Sequence, residues 1–515
     1  MSGWIEHATL GVQAAFAVGD AGLPVAALMM AGGLITGIIV GATPGLAGPM
    51  AMAIALPILL GAFGYAESAL LPVLGFLLGI MKGATLGGAV PAILFNTPGT
   101  PDAYLTTLDG HPMAKRGEAG RALRVAHTSS AAGDTFSDVV LILTAPFLAV
   151  AVEQLLGLPE KTALLLLSLA FVAAVVGGSP GRGLIAVGLG LLLATIGTGQ
   201  GFDPRLTFGL SPLAQGLPVA TVVLGVLIVG EILTALERYA HDGIPKPVVS
   251  GGTGGRLAKG DLWAAAPAIG RGALIGTGIG ALPGVGSTLA ATLSYAAARR
   301  RPSATGRDFG DGAPEGIAAT EAANSSVSGA NLIPVLSLGV PGNAAAIFII
   351  LAADSLGGFN PGPSVFRIPA EGINPELVVA FALFTLMMLG NLLNWTVGGV
   401  FMRLCGGLVR LRPTRLLPAI LLVTLAGVYA QAPDMATVWL LGLFGVLGWG
   451  MRKLGISPLP LVIAFLLGPR IEETARQAFS VTGSDPFFLF SSWTAGLMTV
   501  GAVLVVVLLS RGKSS

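Results

Sequence analysis

One pattern in this chain occurs twice: Gly33-x3-Gly37-x3-Gly41-x2-Pro44-Gly45 returns 239 positions later as Gly272-x3-Gly276-x3-Gly280-x2-Pro283-Gly284, with no gap. A second pair follows in the same order. Pro91-Ala-Ile-Leu-Phe-Asn-Thr-Pro98-Gly99-Thr100 matches Pro334-Val-Leu-Ser-Leu-Gly-Val-Pro341-Gly342-Asn343, now 243 positions apart. Glycine makes up 76 of the 515 residues, so one match alone carries little. Two ordered matches at nearly equal offsets point to an internal duplication.

Only 10% of the residues are charged and 53% are hydrophobic, against roughly 25% charged in a soluble domain. Apolar windows at 22–41, 136–152, 162–177, 217–233, 377–401, 436–450 and 489–509 approach the ~20 residues that a spanning helix needs. No blocks alternate with period two as barrel strands would. The expected fold class is an all-α polytopic integral membrane protein with two internal repeats. Small residues four apart let helix backbones approach in lipid, so the glycine ladders read as packing seams. The net charge of +2 gives no reason to expect nucleic acid. Cys405 stands alone, which leaves no intramolecular disulfide and no thiolate metal site. Residues 1–19 carry Glu6 and His7 but no Lys or Arg, and are expected to be a retained amphipathic segment rather than a cleaved leader.

The expected organisation is a first repeat over 1–240, a linker at 241–261 within the hydrophilic stretch 237–261, and a second repeat over 262–515. A helix over 22–41 ends at Thr43-Pro44-Gly45 and an apolar run over 50–60 follows. The block 69–95 carries Lys82 and leads into a polar loop, 106–124, expected to be solvated. Four or so spans fill 128–236. The second half repeats the plan with a helix over 265–281, a break at Pro283-Gly284 and an apolar run to Ala298. One basic cluster (Lys115, Arg116, Arg121, Arg124) follows the second Pro-Gly element of its half. The other (Arg299, Arg300, Arg301, Arg307) lies between the two elements of its half. If both obey the positive-inside rule, the repeats have inverted topology.

Broken helices in paired halves point to a carrier's binding site. A helix that restarts after a break offers free N–H groups and its positive end to a carboxylate, and the helix that stops offers carbonyls to a cation. The candidate substrate and ion residues at the breaks are Thr43, Pro44, Gly45, Asn96, Thr97, Gly99, Thr100, Asp102, Pro283, Gly284, Ser287, Thr288, Ser337, Gly342 and Asn343. Asn324 joins them from a polar stripe, Glu321, Asn324, Ser325 and Ser328, that shares one helical face. That stripe faces either an internal cavity or an interface outside the bilayer. Lys82 either pairs with a substrate carboxylate or snorkels from a helix end. Asp102, Asp134, Asp138, Glu153 and Glu231 are expected to be interfacial, with Asp102 the best cation ligand because it adjoins a break. No cofactor is expected beyond a coupling cation, sodium or a proton, at the same breaks.

Signals for an enzyme are poor. Gly177-Gly-Ser179-Pro-Gly181 fits G-x-S-x-G, but it joins two apolar spans rather than a strand and a helix. No H-E-x-x-H occurs, and the four histidines (7, 111, 127, 241) lack metal-ligand spacing, with His111 and His241 expected in solvated loops.

The segments GATPGLAGPMAMAIALP, AILFNTPGTPDAYLTTLDGHPMAKRGEAGRAL, LPGVGSTLAATLSYAAARR and GIAATEAANSSVSGANLIPVLSLGVPGN together resemble the large membrane subunit of the tripartite tricarboxylate transporters, over about 20–500. The resemblance implies a bacterial inner-membrane secondary carrier for citrate-like carboxylates, driven by a sodium or proton gradient. It also implies a small four-helix membrane subunit and a periplasmic solute-binding protein as partners. The second break reads Val340-Pro-Gly-Asn where the first reads Thr-Pro-Gly-Thr, so the halves need not bind alike. A homodimer, a non-transporting scaffold or sensor of the same fold, and an intramembrane enzyme are the remaining readings.

Overall fold

The computed structural model describes residues 2–511 apart from 20–21, 44–46, 98–99, 177–178, 198–203, 243–258, 370, 406–412 and 432. The expected linker lies mostly outside the described residues. Those described form helices and no strand. In chain order they are α1 (Ser2–Ala15), α2 (Val25–Gly41), α3 (Gly48–Phe63), α4 (Leu70–Gly87), α5 (Ala89–Phe95), α6 (Tyr104–Lys115), α7 (Ala119–Leu155), α8 (Leu158–Val176), α9 (Pro180–Ala194), α10 (Val219–Leu224) and α11 (Gly230–Asp242). Then come α12 (Lys259–Gly280), α13 (Ser287–Arg299), α14 (Pro314–Ala330), α15 (Leu332–Leu338), α16 (Ala344–Leu356), α17 (Pro375–Leu393), α18 (Gly399–Cys405), α19 (Pro413–Gln431), α20 (Met435–Lys453), α21 (Leu459–Val481) and α22 (Trp493–Arg511).

Among the described residues, six helical stretches are long and apolar enough to cross a membrane: 67–95, 119–155, 158–175, 219–241, 375–402 and 435–453. The chain is an all-α multi-pass membrane protein. α2 has 17 residues, which at ~1.5 Å per residue is about 25 Å, short of the ~30 Å of hydrocarbon. Its last residue and the two that follow, Gly41 to Thr43, are buried.

The glycine ladders are packing seams. A methyl group on Gly33, Gly37 or Gly41 would sit 2.1, 2.5 or 2.2 Å from the carbonyl oxygens of Phe76, Ile80 and Ala84 on α4. α4 answers with its own ladder: Gly79, Gly83 and Gly87 press as closely on Met30 O, Leu34 O and Ile38 O. Backbone therefore lies on backbone along the whole contact. In the second seam only one helix carries the ladder. Gly272, Gly276 and Gly280 of α12 press on Ala319, Ala323 and Val327 of α14.

Residues 106–124 overturn the solvated-loop expectation. Thr106, Asp109, His111 and Met113 of α6 are buried. Asp109 is buried because its charge is spent on another helix's start: Oδ1 accepts the N–H groups of Gly310, Gly312 and Ala313 at 2.8, 3.0 and 2.9 Å, and Oδ2 accepts Tyr295 OH at 2.9 Å. These N–H groups lead into α14, whose residues are all buried. His111 Nδ1 lies 3.2 Å from Ile93 O. His241, at the end of α11, is exposed as expected.

The two basic clusters meet at this end of the bundle. Arg307 donates to both oxygens of Glu118, at 2.5 and 2.9 Å, and Arg116 to Asp311 at 2.5 Å. At the N-terminus α1 lies along α17, with Gly11 against Phe381 and the Trp4 ring edge-on to Phe381 at 6.1 Å.

Two outcomes follow. Gly37→Ala places a methyl against Ile80 O that only helix separation relieves, so it should cost about 1–3 kcal/mol. Gly278→Ala, whose added methyl meets nothing within 4 Å, should be neutral or gain up to about 1 kcal/mol from helix propensity. Thermal unfolding of the purified protein compares the two. The hydrogen bond from Arg307 chiefly holds the Glu118 carboxyl below its ordinary value of 4.5. A depressed carboxyl stabilises above its unfolded value and loses that stabilisation as pH falls through the folded one. The difference in melting temperature between the natural chain and Glu118→Gln should be full at pH 6 to 8 and close as pH drops below about 4.5.

Candidate functional site

Two short helices end in the same way. α5 closes on Asn96 in the left-handed region (φ 53°, ψ 28°), and α15 closes on Gly339 there (φ 70°, ψ 23°). The next residue turns its N–H back onto a proline carbonyl in each case, Thr97 onto Pro91 O at 3.3 Å and Val340 onto Pro334 O at 3.1 Å. A left-handed residue followed by an N–H turned back onto the last turn is a common helix ending. Each short helix continues a long one through a kink, α4 into α5 at Gly88 and α14 into α15 at Asn331.

The breaks touch one another. Gly284 donates its N–H to Gly342 O at 2.9 Å. Thr288, in the first turn of α13, donates its hydroxyl to Asp102 Oδ1 at 2.5 Å. Residues 100–102, 283–288 and 340–343 therefore form one run of contacts. Buried polar atoms with no partner lie at two points on it, Thr100 and Asn331. Asn331 is fully buried, and neither Oδ1 nor Nδ2 has a hydrogen-bond partner. A methyl on Gly342 would come within 2.7 Å of that Oδ1. Thr100 Oγ1, buried and unpartnered, lies against Gly88, and Asn324 Nδ2 is likewise buried and unpartnered. An unpaired buried amide costs about 1–3 kcal/mol, so each such group in a native fold calls for a reason.

The expected residues fare unequally. Asp102, Thr288, Gly284 and Gly342 are brought together, with Pro283 and Ser287 in the same turn. Asp102 is engaged at the start of α13, where a carboxylate balances the positive end of a helix. Asn343 caps α16, its Oδ1 accepting Ala346 N–H at 2.8 Å. Ser337 returns its hydroxyl to Ile333 O, Thr43 to Ile39 O and Thr97 to Phe95 O. Asn96 is exposed. Pro44, Gly45 and Gly99 lie outside the described residues.

The polar stripe of α14 faces inward. Glu321 accepts the hydroxyls of Thr106 at 2.5 Å and Ser130 at 3.0 Å, and Ser328 meets Thr85 at 3.1 Å. Lys82 neither snorkels nor waits for substrate: it is buried between Asp134 and Asp138 of α7. Those two aspartates were expected at the interface and are core residues, because their partner lies more than fifty positions away. Asn331 was missed, although a polar side chain in the apolar run before Pro334 was a visible signal. Two surface clefts, of about 220 and 340 Å³, lie away from the breaks, beside Asp354 and Arg205.

Residues 27–463 match the family described as "Tripartite tricarboxylate transporter TctA family". The chain is 32% identical over 482 residues to an Agrobacterium vitis protein described as "Uncharacterized 52.8 kDa protein in TAR-I ttuC' 3'region", covering 93% of this chain and 92% of that one. A second Agrobacterium vitis protein, "Uncharacterized protein in TAR-II ttuC' 3'region", is 31% identical over 235 residues, 45% of this chain and 93% of its own length. No solved structure matches.

If Asn331 is kept for a ligand rather than for the fold, removing its unpaired amide should stabilise the protein. Asn331→Leu, with the same branching and number of side-chain heavy atoms, is expected to raise stability by about 1 kcal/mol or more, read as a higher melting temperature. A lower one would make the amide structural.

Proposed function

The chain belongs to the tripartite tricarboxylate transporter TctA family, and from that premise we propose that it is the carrier subunit of a binding-protein-dependent secondary transporter importing citrate-like di- and tricarboxylates. In this reading a small four-helix subunit and a periplasmic solute-binding protein work with it in the bacterial inner membrane. A sodium or proton gradient drives import by alternating access. The observation that carries the reading is the joined run of helix breaks lined by unpartnered buried polar groups. α13 starts there without a side-chain cap on its first turn, so its N–H groups and dipole favour an anion. Asn331 and Thr100 add donors that select an oxygen-rich ligand.

An inverted internal repeat gives alternating access a mechanical basis. Three observations favour it. α5 and α15 end alike. The two basic clusters share one end of the bundle although they fall at different points of their halves. Thr85 and Ser328, which lie 243 positions apart, touch each other. In an inverted repeat, a contact between positions related by the repeat offset is expected beside the axis between the halves.

The test is counterflow and accumulation of radiolabelled citrate in vesicles carrying the chain with its two partner proteins. The natural chain should exchange and accumulate citrate. Asn331→Leu and Gly342→Val should each lower uptake tenfold or more at equal membrane abundance. Normal uptake in both variants removes the site, and absence of counterflow in the natural chain leaves a non-transporting scaffold or sensor.

A further inference from the structure

Deep in the bundle, three helices bring together one amine and two carboxylates. Lys82 Nζ of α4 donates to Asp134 Oδ1 at 2.9 Å, to Asp138 Oδ2 at 2.5 Å and to Asn391 Oδ1 of α17 at 3.1 Å. Asn391 Nδ2 closes the ring onto Asp138 Oδ2 at 2.8 Å. The side chains of Lys82, Asp134 and Asp138 are 0%, 3% and 0% exposed. With all three ionised the cluster carries one negative charge that nothing in it balances, and an unbalanced charge away from water is expensive. One oxygen is also left over: Asp138 Oδ1 is buried and has no hydrogen-bond partner. It lies against Gly329 of α14, where a methyl would come within 2.2 Å of it.

Among the described residues, Lys82 is the cation that pairs with Asp134 and Asp138. α2 and α15 carry no ionisable residue, and α17 carries Glu376 at its far end. α14 brings Glu321, eight positions before Gly329 and held by Thr106 and Ser130. On α7 itself His127 lies seven positions before Asp134 and meets Asn394 O. Asp109 and His111 of α6 are engaged with the start of α14 and with Ile93 O. Arg271 of α12 adjoins Gly272, which packs at the level of Ala319, and Arg403 of α18 stands twelve positions beyond Asn391.

We propose that this cluster, rather than the helix breaks, binds the coupling ion, and that the ion is a proton taken up on the Asp138 carboxylate. Uptake forms one O–H bond and breaks none. The cluster passes from one net negative charge to neutral, and Lys82 shifts toward Asp134, which alone then needs it. Release reverses both changes. The cluster is connected to the breaks. Gly329, against the free oxygen, is two residues from Asn331, and Lys82 is one turn from Thr85, which meets Ser328. A change of charge here is therefore felt at the kink that faces Gly342. This inference rests on the transport reading, but its first test does not.

That test is infrared difference spectroscopy of the purified full chain in lipid nanodiscs between pH 5 and pH 9. The natural chain should show a protonated-carboxyl C=O band that disappears on going to high pH. Asp138→Asn should lose the band, and Glu321→Gln should keep it. In vesicles with both partner proteins, Asp138→Asn should lower pH-driven accumulation of radiolabelled citrate tenfold or more. Exchange of citrate, which moves no net proton, should fall less than threefold. A band unchanged in Asp138→Asn overturns the proposal. So does accumulation by the natural chain that follows a sodium gradient at equal pH and ignores a pH gradient. If the natural chain shows the band but neither exchanges nor accumulates citrate, the citrate reading fails and the proton site stands.

Discussion

A helix that stops inside hydrocarbon leaves N–H or C=O groups that only protein, a ligand or enclosed water can receive. That constraint explains why the breaks in this bundle are found on one another. Gly284 gives its N–H to the carbonyl of Gly342, Asn96 and Gly339 fold the last turns of α5 and α15 back on themselves, and the first turn of α13 is met by Asp102 through Thr288. What the breaks cannot satisfy among themselves, the Asn331 amide and the Thr100 hydroxyl, stays unpaired at the same place. Asn331 and Thr100 are buried there, while Thr288 is exposed.

The helix seams are made from glycine. α2 and α4 meet with carbonyls of one against the Cα atoms of the other, a distance that no side chain allows. Such a contact holds by van der Waals fit rather than by water exclusion, since lipid is as apolar as the helices. The second seam is less symmetric. α12 offers glycines, but α14 answers with Ala319, Ala323 and Val327 and keeps its other face for Glu321, Ser326 and Ser328. The first seam is thus the tighter of the two, with glycine on both sides.

Charge inside the bundle follows the same economy. Asp109 receives three backbone N–H groups and a tyrosine hydroxyl, so its burial also anchors the start of α14. Lys82, Asp134 and Asp138 are packed against one another with the amide of Asn391 as the fourth side. α17 turns π-helical just beyond, over Asn394–Gly398, a local departure that is frequent at functional sites. It presents Asn394 O to His127.

Sequence alone determined the membrane class, the helix breaks and the ladders, because each is local: scarcity of charge, proline and glycine at fixed spacing, and small residues four apart act within a turn or two of where they stand. It also carried the family, through long motifs that run across both halves. The tertiary structure decided which polar residues go inside. Residues 106–124 read as a solvated loop and Asp134 and Asp138 as interfacial because hydrophobicity is counted along the chain. What permits a charge to be buried is a partner, and here the partners come from 52, 56 and 186 or more positions away. Pairing across that distance exists only once the helices have packed.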